Sequence, residues 1–353
     1  MQDLFLKAKN HKIKKLPFVI YVKPDSKNVQ GFFQKSDRLF EINDFTEVGF
    51  AFVPFHSGKK VLIPSEESET LSVEIEPKPF IQNEKKIFDE NQAAKNSFKT
   101  LVAEAIEEIE KKQFKKVVVS RKENIPIDKE VSFIEVFCRL VSLYPSAFKY
   151  CFYHPEAGMW LGATPEQFLK INENTLHTVA LAGTQLFKEG IIVWEEKEKE
   201  EQQFVTDFIK DNLYKCGLQV SVSEPYTHRA GNIAHIKTDV SAEINNNQGL
   251  GEIIRKLHPT PAVCGMPKEE ARQFITEKED YNREYYSGFL GELNLNQGEA
   301  TKASDLFVNL RCMKMEADHV SLFVGCGITV DSDPEKEFQE TVNKSATIKN
   351  VLY

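Results

Sequence analysis

Short apolar runs with a two-residue period recur in the first part of the chain, and this alternation most narrows the folds that the sequence can adopt. A period of two places successive side chains on opposite faces of a strand, whereas a helix repeats about every 3.6 residues. Glycine, proline and asparagine separate the runs, as turn residues do. The pattern predicts strands at 18–22, 49–55, 60–63 and 71–75, followed by a proline- and lysine-bearing connection at 76–91.

Amphipathic helices occur singly among the strands. The first is predicted from an apolar face that comprises Phe98, Leu101, Val102, Ala105, Ile106 and Ile109. Ser132 and Glu135 have the spacing of a capping box, which predicts the start of another helix. Strands are predicted again at 148–153 and in a hairpin around 172–174. Strands mixed with long single helices predict an α+β fold.

A glycine pair precedes a predicted helix near the C-terminus. Gly325 and Gly327 flank Cys326, and Asp333-Pro334 predicts the helix start because aspartate is a good cap and proline suits the first helical position. An apolar stripe borders a polar one, so the polar stripe lies at the edge of the packed face. The polar stripe consists of Glu337, Glu340, Thr341 and Lys344, beside Phe338 and Val342. This arrangement predicts an anion site next to a metal site.

A second helix with acids beside an apolar face is predicted to begin near Glu195 and to end near Gly217. Its apolar residues Phe204, Val205, Phe208 and Ile209 have helical spacing, and Glu201 and then Glu198 extend that face with carboxylates. A solvated charge run is the alternative interpretation. Acids on two helices could instead hold one Mg²⁺ from both sides, because this ion is commonly bound by one or two carboxylates.

Two further charged residues stand at the ends of predicted strands. Lys116 begins the run Val117-Val118-Val119, where a lysine can either act in chemistry or protect a strand edge. Glu166 follows the apolar run 159–161 and the segment Gly162-Ala163-Thr164-Pro165. Partial burial would favour Glu166 as a general acid and Lys116 as a general base.

Eight short segments carry a resemblance to a known family. They occur in the order seen in chorismate-utilising enzymes and together resemble the isochorismate synthases most closely. One such motif is weak, whereas eight in order are specific. The resemblance favours a single domain over 1–353, with a variable N-terminal portion at 1–92 and the motif-bearing portion at 93–353. The segments are 116–121, 162–166, 181–184, 197–201, 258–262, 310–312, 325–328 and 337–341.

The resemblance implies a fold, a reaction and a site. The fold is two stacked, mostly antiparallel β-sheets flanked by helices. The reaction is a Mg²⁺-dependent conversion of chorismate to isochorismate, with Lys116 as base and Glu166 as acid. Glu201 and Glu340 would bind the metal, with Glu198 and Glu337 behind them. The implied substrate-binding residues are Ala182, Gly183, Thr184, His235, His258, Ala262, Tyr286, Arg311, Gly325, Gly327 and Lys344. His235 and His258 could equally be hydrogen-bonded core residues.

Relatives with other activities leave the subtype open. Lys116 and the segment 258–262 favour isochorismate formation, and no glutamine amidotransferase partner is expected. Tyr286 points instead to salicylate synthases, which also eliminate pyruvate, and a non-catalytic chorismate-binding protein is a further alternative. Gln185 and Gln202 depart from the family pattern, where arginine and histidine are usual. The product could feed menaquinone or catechol siderophore synthesis.

Composition excludes several classes of protein. The 353 residues carry a net charge of -8 with no basic stripe, which argues against nucleic-acid binding. No apolar run approaches a membrane span, and the first fifteen residues do not resemble a signal peptide, so we expect a cytoplasmic protein. The 6 cysteines show no zinc spacing and are expected to be reduced thiols.

Overall fold

The computed structural model describes residues 2–76, 91–127, 131–186, 192–230, 233–244, 249–296 and 302–352, apart from the side chains at 184, 186, 197, 230, 233 and 347. Within these residues the strands are β1 Phe18–Val22, β2 Asn28–Gln34, β3 Phe40–Glu41, β4 Gly49–Val53, β5 Val61–Pro64, β6 Ser68–Glu74, β7 Lys116–Pro126, β8 Phe148–His154, β9 Gly158–Thr164, β10 Gln167–Asn172, β11 Thr175–Leu186, β12 Gln219–Val222, β13 Tyr226–Ala230, β14 Ile233–Glu243, β15 Gly265–Met266, β16 Phe289–Asn296, β17 Lys302–Val308, β18 Cys312–Met315 and β19 His319–Ile328.

The strands form two antiparallel sheets that face each other. The first has nine strands in the order β15-β7-β19-β18-β9-β8-β1-β2-β6, and the second has ten, in the order β12-β14-β11-β10-β17-β16-β4-β5-β3 with β13 beside β14. Aromatic side chains fill the space between them. Phe52 of the second sheet lies 4.2 Å from Phe152 of the first, ring centre to ring centre, and Phe307 lies 4.4 Å from Phe148. Burial of such rings is a major stabilising contribution.

Helices cover the outer faces of both sheets. They are α1 Gln2–Ile13, α2 Gln92–Glu110, α3 Phe133–Leu143, α4 Glu196–Lys215, α5 Leu250–Leu257, α6 Lys268–Lys278 and α7 Pro334–Lys349. α3 packs on β8 and β9, α4 on β11 and β14, and α7 on β19 and α2. The predicted α+β fold of two stacked antiparallel sheets flanked by helices is confirmed. No helix in the described ranges is both long and apolar enough to cross a membrane.

The predicted elements match the observed ones closely. The strand at 18–22 and the caps Asp333 and Ser132 are as predicted: Asp333 accepts a hydrogen bond from the Lys336 amide at 2.9 Å, and Ser132 accepts one from the Glu135 amide at 3.4 Å. The run at 71–75 is part of a longer strand, because β6 pairs with β2 from Ser68 onward. Most of the predicted connection at 76–91 lies outside the described residues.

The predicted inner face of α4 was wrong at Phe204, whose side chain is 38% exposed. Its ring lies under the Lys115 ammonium, 4.6 Å away, instead of against the sheet. Gln202 and Thr206 are buried in its place. The Gln202 amide donates to Thr206 Oγ1 at 2.9 Å and to Thr238 Oγ1 of β14 at 2.7 Å, so polar contacts fix the rotation of the helix.

Two connections cross from one sheet to the other side by side. One leads from β9 to β10 and carries Glu166, and the other leads from β17 to β18 and carries Arg311. The Val308 amide donates to the Glu166 carbonyl at 2.9 Å, and the Ala163 amide donates to the Arg311 carbonyl at 3.1 Å. These backbone hydrogen bonds therefore hold Glu166 and Arg311 next to each other.

Candidate active site

Residues 325–327 of β19, Gly-Cys-Gly, form what we call the glycine segment, and this segment makes room for Lys116. Gly327 pairs with Val118 of β7, and a Cβ atom at Gly327 would lie 3.0 Å from Lys116 Cε. Glycine at this position lets the lysine side chain cross the neighbouring strand. The Lys116 ammonium then donates to Glu201 Oε1 of α4 at 2.5 Å. This contact joins the first sheet to a helix that packs on the second.

α7 meets the same glycine segment from the other side. Lys344 Nζ donates to the Gly325 carbonyl at 2.9 Å and lies 2.6 Å from Glu340 Oε1. Gly325 is tightly packed, because a Cβ atom there would lie 2.7 Å from the Val119 carbonyl and 3.0 Å from the Tyr286 hydroxyl. Lys116 and Lys344 thus lie beside the glycine segment, and each forms an ion pair with one glutamate.

The pKa of the Glu166 carboxyl is raised, although three cations lie near it. Burial raises the pKa of its carboxyl to about 7, while Lys116, Arg311 and Lys344 pull that pKa down. The side chain receives no hydrogen bond from the described residues. A carboxyl with a pKa near 7 is partly protonated at neutral pH and can donate a proton there.

Arg311 is held in an unusual backbone conformation, with Glu166 and Glu340 as the nearby acidic groups. Its φ angle is 49°, in the left-handed region. The guanidinium forms neither a hydrogen bond nor an ion pair with the described part of the chain. Burial lowers the pKa of Arg311, but arginine remains charged in proteins. A half-buried guanidinium close to Glu166 and Tyr286, with no hydrogen bond from its own side chain to the described residues, is suited to bind an anionic ligand.

A bulge in β11 brings Gly183 to the start of α4. The register with β14 shifts between Ala182 and Thr184, and Gly183 has a φ of +69°. A Cβ atom there would lie 3.1 Å from Glu198 Cβ, so glycine allows the close approach. His235 Nδ1 lies 3.0 Å from the Gly183 carbonyl. Burial lowers the pKa of His235, which keeps the ring neutral at pH 7.

The structure brings most of the predicted site residues together. Lys116, Glu166, Arg311, Gly325, Gly327 and Lys344 surround one region, with Glu201, Glu340 and His235 at its border. Ala182 and Gly183 lie on the β11 bulge, and the backbone of Thr184 pairs with His235, although its side chain is outside the described residues. Glu337 lies close to Glu340, and burial raises the pKa of Glu337.

Two predicted substrate-binding residues have mainly structural contacts. His258 Nε2 lies 3.2 Å and 3.1 Å from the carbonyls of Pro54 and Phe55, and its ring packs edge-on against Phe289. The alternative interpretation of His258 as a hydrogen-bonded core residue fits these contacts better. Tyr286 is buried, and its ring stacks on Phe323 beneath Gly325. Ala262 lines a small cavity beside Glu166.

The carboxylates of α4 and α7 provide donors of the type that Mg²⁺ prefers. Glu201 and Glu340 are each paired with a flexible lysine ammonium that a cation can replace. Both oxygens of Glu198 are engaged, by the Gln185 amide at 3.3 Å and the Glu195 backbone at 2.9 Å. Among the described residues, no three His, Cys, Asp or Glu side chains converge as a complete metal site. Two carboxylates nevertheless fit Mg²⁺, since water and substrate oxygens usually complete its shell.

Sequence reasoning missed Arg283 and Glu279, two buried residues that hydrogen-bond the backbone near Lys116 and Ala262. The buried Arg283 guanidinium donates to the carbonyls of Val118, two residues after Lys116, at 2.6 Å and Val263, next to Ala262, at 3.0 Å. It is paired at 2.5 Å with Glu279, which also accepts from the Ser120 backbone amide at 2.7 Å. Breaking a buried pair of this kind is costly. The i, i+4 spacing of Glu279 and Arg283 was the available signal, but it is typical of any helix surface.

Glu166 lies near Lys116, Arg311 and Lys344, and α4 and α7 add the carboxylates of Glu201 and Glu340. Such a cluster of cations is suited to a small anionic substrate. Residues 59–353 match the family model described as chorismate binding enzyme. The chain therefore belongs to the chorismate-binding enzyme family.

Individual relatives agree with this assignment. The chain is 28% identical to the isochorismate synthase MenF of Escherichia coli over 268 residues, which cover 73% of this chain and 60% of that relative. It is 29% identical to the isochorismate synthase EntC of Escherichia coli over 266 residues, 72% of this chain and 67% of the relative. The solved structure of the menaquinone-specific isochorismate synthase MenF from Escherichia coli has the same fold, with a TM-score of 0.78, 22% identity and coverage of 96% and 89%. The aligned part thus spans about three fifths of the MenF sequence.

Proposed function

We propose that this protein is an isochorismate synthase, which converts chorismate to isochorismate. The observation that supports this best is the position of Glu166 near both Lys116 and Arg311. An amine and a carboxylic acid in one site can remove a proton from one group of a substrate and deliver a proton to another. Relatives named isochorismate synthases make the exchange of a ring hydroxyl the reaction to test first.

In the proposed reaction water attacks C2 of the ring as the C4 hydroxyl leaves. Lys116, in its neutral form, takes a proton from the attacking water, and the new C2–O bond forms. Glu166, in its protonated form, gives its proton to the C4 oxygen as the C4–O bond breaks, so that a water molecule departs. The ring double bonds shift accordingly, and substrate and product have the same composition. Each turnover leaves Lys116 protonated and Glu166 ionised, and proton exchange with solvent restores both.

The substrate carries two carboxylates, and the site offers matching charge. The planar guanidinium of Arg311 can bind a carboxylate with two parallel hydrogen bonds. Lys344 adds a second cation at the glycine segment, where it already donates to the Gly325 carbonyl. Gly325 and Gly327 have no Cβ atoms, which lets the Tyr286 hydroxyl and the Lys116 side chain pack against this backbone.

A divalent cation completes the proposal. Glu201 and Glu340 would hold Mg²⁺, with Glu198 and Glu337 behind them. When bound, the ion would offset the negative charge of a dianionic substrate among glutamates and withdraw electron density from the ring. Glu201 pairs with Lys116 at 2.5 Å, so the proposed base and a proposed metal ligand are neighbours.

Removal of either proposed metal ligand should weaken the response to Mg²⁺. We expect Glu201→Gln and Glu340→Gln each to raise the Mg²⁺ concentration for half-maximal activity at least ~10-fold, because the amide has no charge to contribute. EDTA should abolish the activity of the parent protein. Glu200→Gln is the matched control, since Glu200 is exposed on the same helix. Full activity of the metal-stripped parent protein would contradict the metal assignment.

Salicylate synthase is the second candidate, because a tyrosine at position 286 resembles that branch of the family. The Tyr286 hydroxyl lies directly beneath Gly325. We expect isochorismate to accumulate, with little salicylate or pyruvate, and ammonium not to replace water. Ala262 offers no hydroxyl that could order the product for elimination. Chromatography of the products, with a lactate dehydrogenase assay for pyruvate, distinguishes the two activities. Stoichiometric pyruvate and salicylate would establish the second candidate, and Ala262→Thr should raise whatever pyruvate the parent protein releases.

A further inference from the structure

A small cavity behind Glu166 has no part in the mechanism proposed above. Its lining comes from β10 and the residue before it, from β11, α4 and β17, and from the segment after α5. It includes Glu166, Thr178, Thr260 and Ala262. The space open to the centre of a water molecule is about 10 Å³. One buried water requires about this much room, together with at least two polar partners.

Thr260 lines this cavity and has a buried hydroxyl. Its Oγ1 atom is shielded from solvent and has no hydrogen-bond partner among the described residues. The Thr260 carbonyl accepts from the amides of Val263 at 3.1 Å and Cys264 at 3.0 Å, which fixes the local backbone. A buried hydroxyl without a partner is unfavourable, and such groups usually contact an ordered water.

Glu166 and Thr178 complete the polar lining. The Glu166 side chain also lacks a hydrogen bond from the described part of the chain. Thr178 Oγ1 donates to the Phe168 carbonyl at 2.7 Å, so its lone pairs are still able to accept. Gln167 also lines the cavity, but its side-chain amide donates to Asp305 Oδ1 at 2.7 Å. Apolar residues, among them Val205, Ile209 and Val308, form most of the remaining wall. A water molecule here would therefore find its partners in these three side chains.

We propose that Thr260 is a positioning residue for Glu166, acting through one water molecule bound between the threonine hydroxyl and the glutamate carboxyl. This inference rests on the proposed role of Glu166 as the acid. The water satisfies the Thr260 hydroxyl and restricts the rotation of the carboxyl. It thereby holds the acidic proton in one direction, from a cavity whose lining does not include the three cations.

The charges around Glu166 determine the sign of the expected effect. Lys116 at the start of β7, Arg311 after β17 and Lys344 on α7 all favour the ionised carboxyl, whereas the apolar wall opposes it. A bound water also favours the ionised form, because hydration stabilises charge more than the neutral acid. Loss of the water should make Glu166 a weaker acid.

The test compares Thr260→Val, which removes the hydroxyl at nearly constant volume, with Thr260→Ser, which keeps it. We expect Thr260→Val to lower kcat roughly 10-fold with little change in KM, because the acid is misplaced but substrate contacts remain. The pH at which kcat falls should move up by roughly one unit, the scale of one hydrogen bond to a charged group. Thr260→Ser should stay close to the parent protein in both respects.

A second measurement does not depend on activity. The carboxyl carbon of Glu166 can be titrated by ¹³C NMR in the parent protein and in Thr260→Val, with Glu166→Gln to assign the signal. A higher titration midpoint in Thr260→Val supports the inference even if chorismate is not the substrate. An unchanged midpoint, or an equal loss of activity in Thr260→Ser and Thr260→Val, would overturn it. A parent protein that forms no isochorismate would refute the proposed function and leave the NMR result to decide the role of Thr260.

Discussion

Lys116→Ala should lower kcat by roughly 10²- to 10⁴-fold, the usual contribution of a general base. The amine is the proposed acceptor of the proton from water, and the glycine at position 327 gives it the room to reach the site. Substrate affinity should change less, because Arg311 and Lys344 remain to bind the carboxylates. Steady-state kinetics with chorismate at saturating Mg²⁺ would measure both parameters.

Lys116→Arg separates the role of the base from the role of the charge. Arginine preserves the positive partner of Glu201 but stays protonated in proteins, so it cannot accept the proton. We expect Lys116→Arg to be nearly as inactive as Lys116→Ala. Lys115→Ala is the control, since the neighbouring side chain is exposed and lies over Phe204. Substantial activity in Lys116→Arg would show that the residue acts through its charge and not as a base.

The fold could be predicted from local patterns because each pattern describes contacts close in sequence. The strand at 18–22 and the caps Ser132 and Asp333 depend on alternation and on backbone amides one turn away. The rotation of α4 could not be predicted in this way. It depends on hydrogen bonds from Gln202 to Thr238, a residue 36 positions away on β14. Phe204 was therefore placed wrongly, although the helix itself was correct.

The site residues also differ in whether the sequence alone could identify them. The motifs identified Lys116, Glu166 and Arg311, but not the reason they meet. Two connections that cross between the sheets bring Glu166 and Arg311 together, and Gly327 gives Lys116 room to reach them. Thr260 was part of a recognised segment, yet only the enclosed position of its hydroxyl singles it out. The same applies to Arg283, whose contacts reach strands far away in sequence. Burial and long-range partners are properties of the folded chain, and a short motif does not contain them.

Glu166→Gln should abolish most of the activity and yet stabilise the protein at neutral and alkaline pH. The amide cannot donate an acidic proton, so kcat should fall by roughly 10²- to 10⁴-fold. The effect on stability has the opposite sign because burial raises the pKa of this carboxyl from 4.5 to about 7 in the folded chain. A group with a raised pKa binds its proton more tightly in the folded state than in the unfolded state.

The pH range of this effect follows from the two pKa values. Below about pH 4.5 the carboxyl is protonated in both states and costs no stability; as the pH rises toward about 7, the folded state must retain a proton that the unfolded state releases. The parent protein should lose roughly 2–3 kcal/mol of its free energy of unfolding over this range, at about 1.4 kcal/mol per pKa unit. Glu166→Gln has no such group, so its stability relative to the parent should rise by that amount between pH 5 and pH 8. Urea unfolding at both pH values would measure the difference, with the exposed Glu224→Gln as control. A difference that stays constant with pH would contradict the raised pKa and with it the proposed acid.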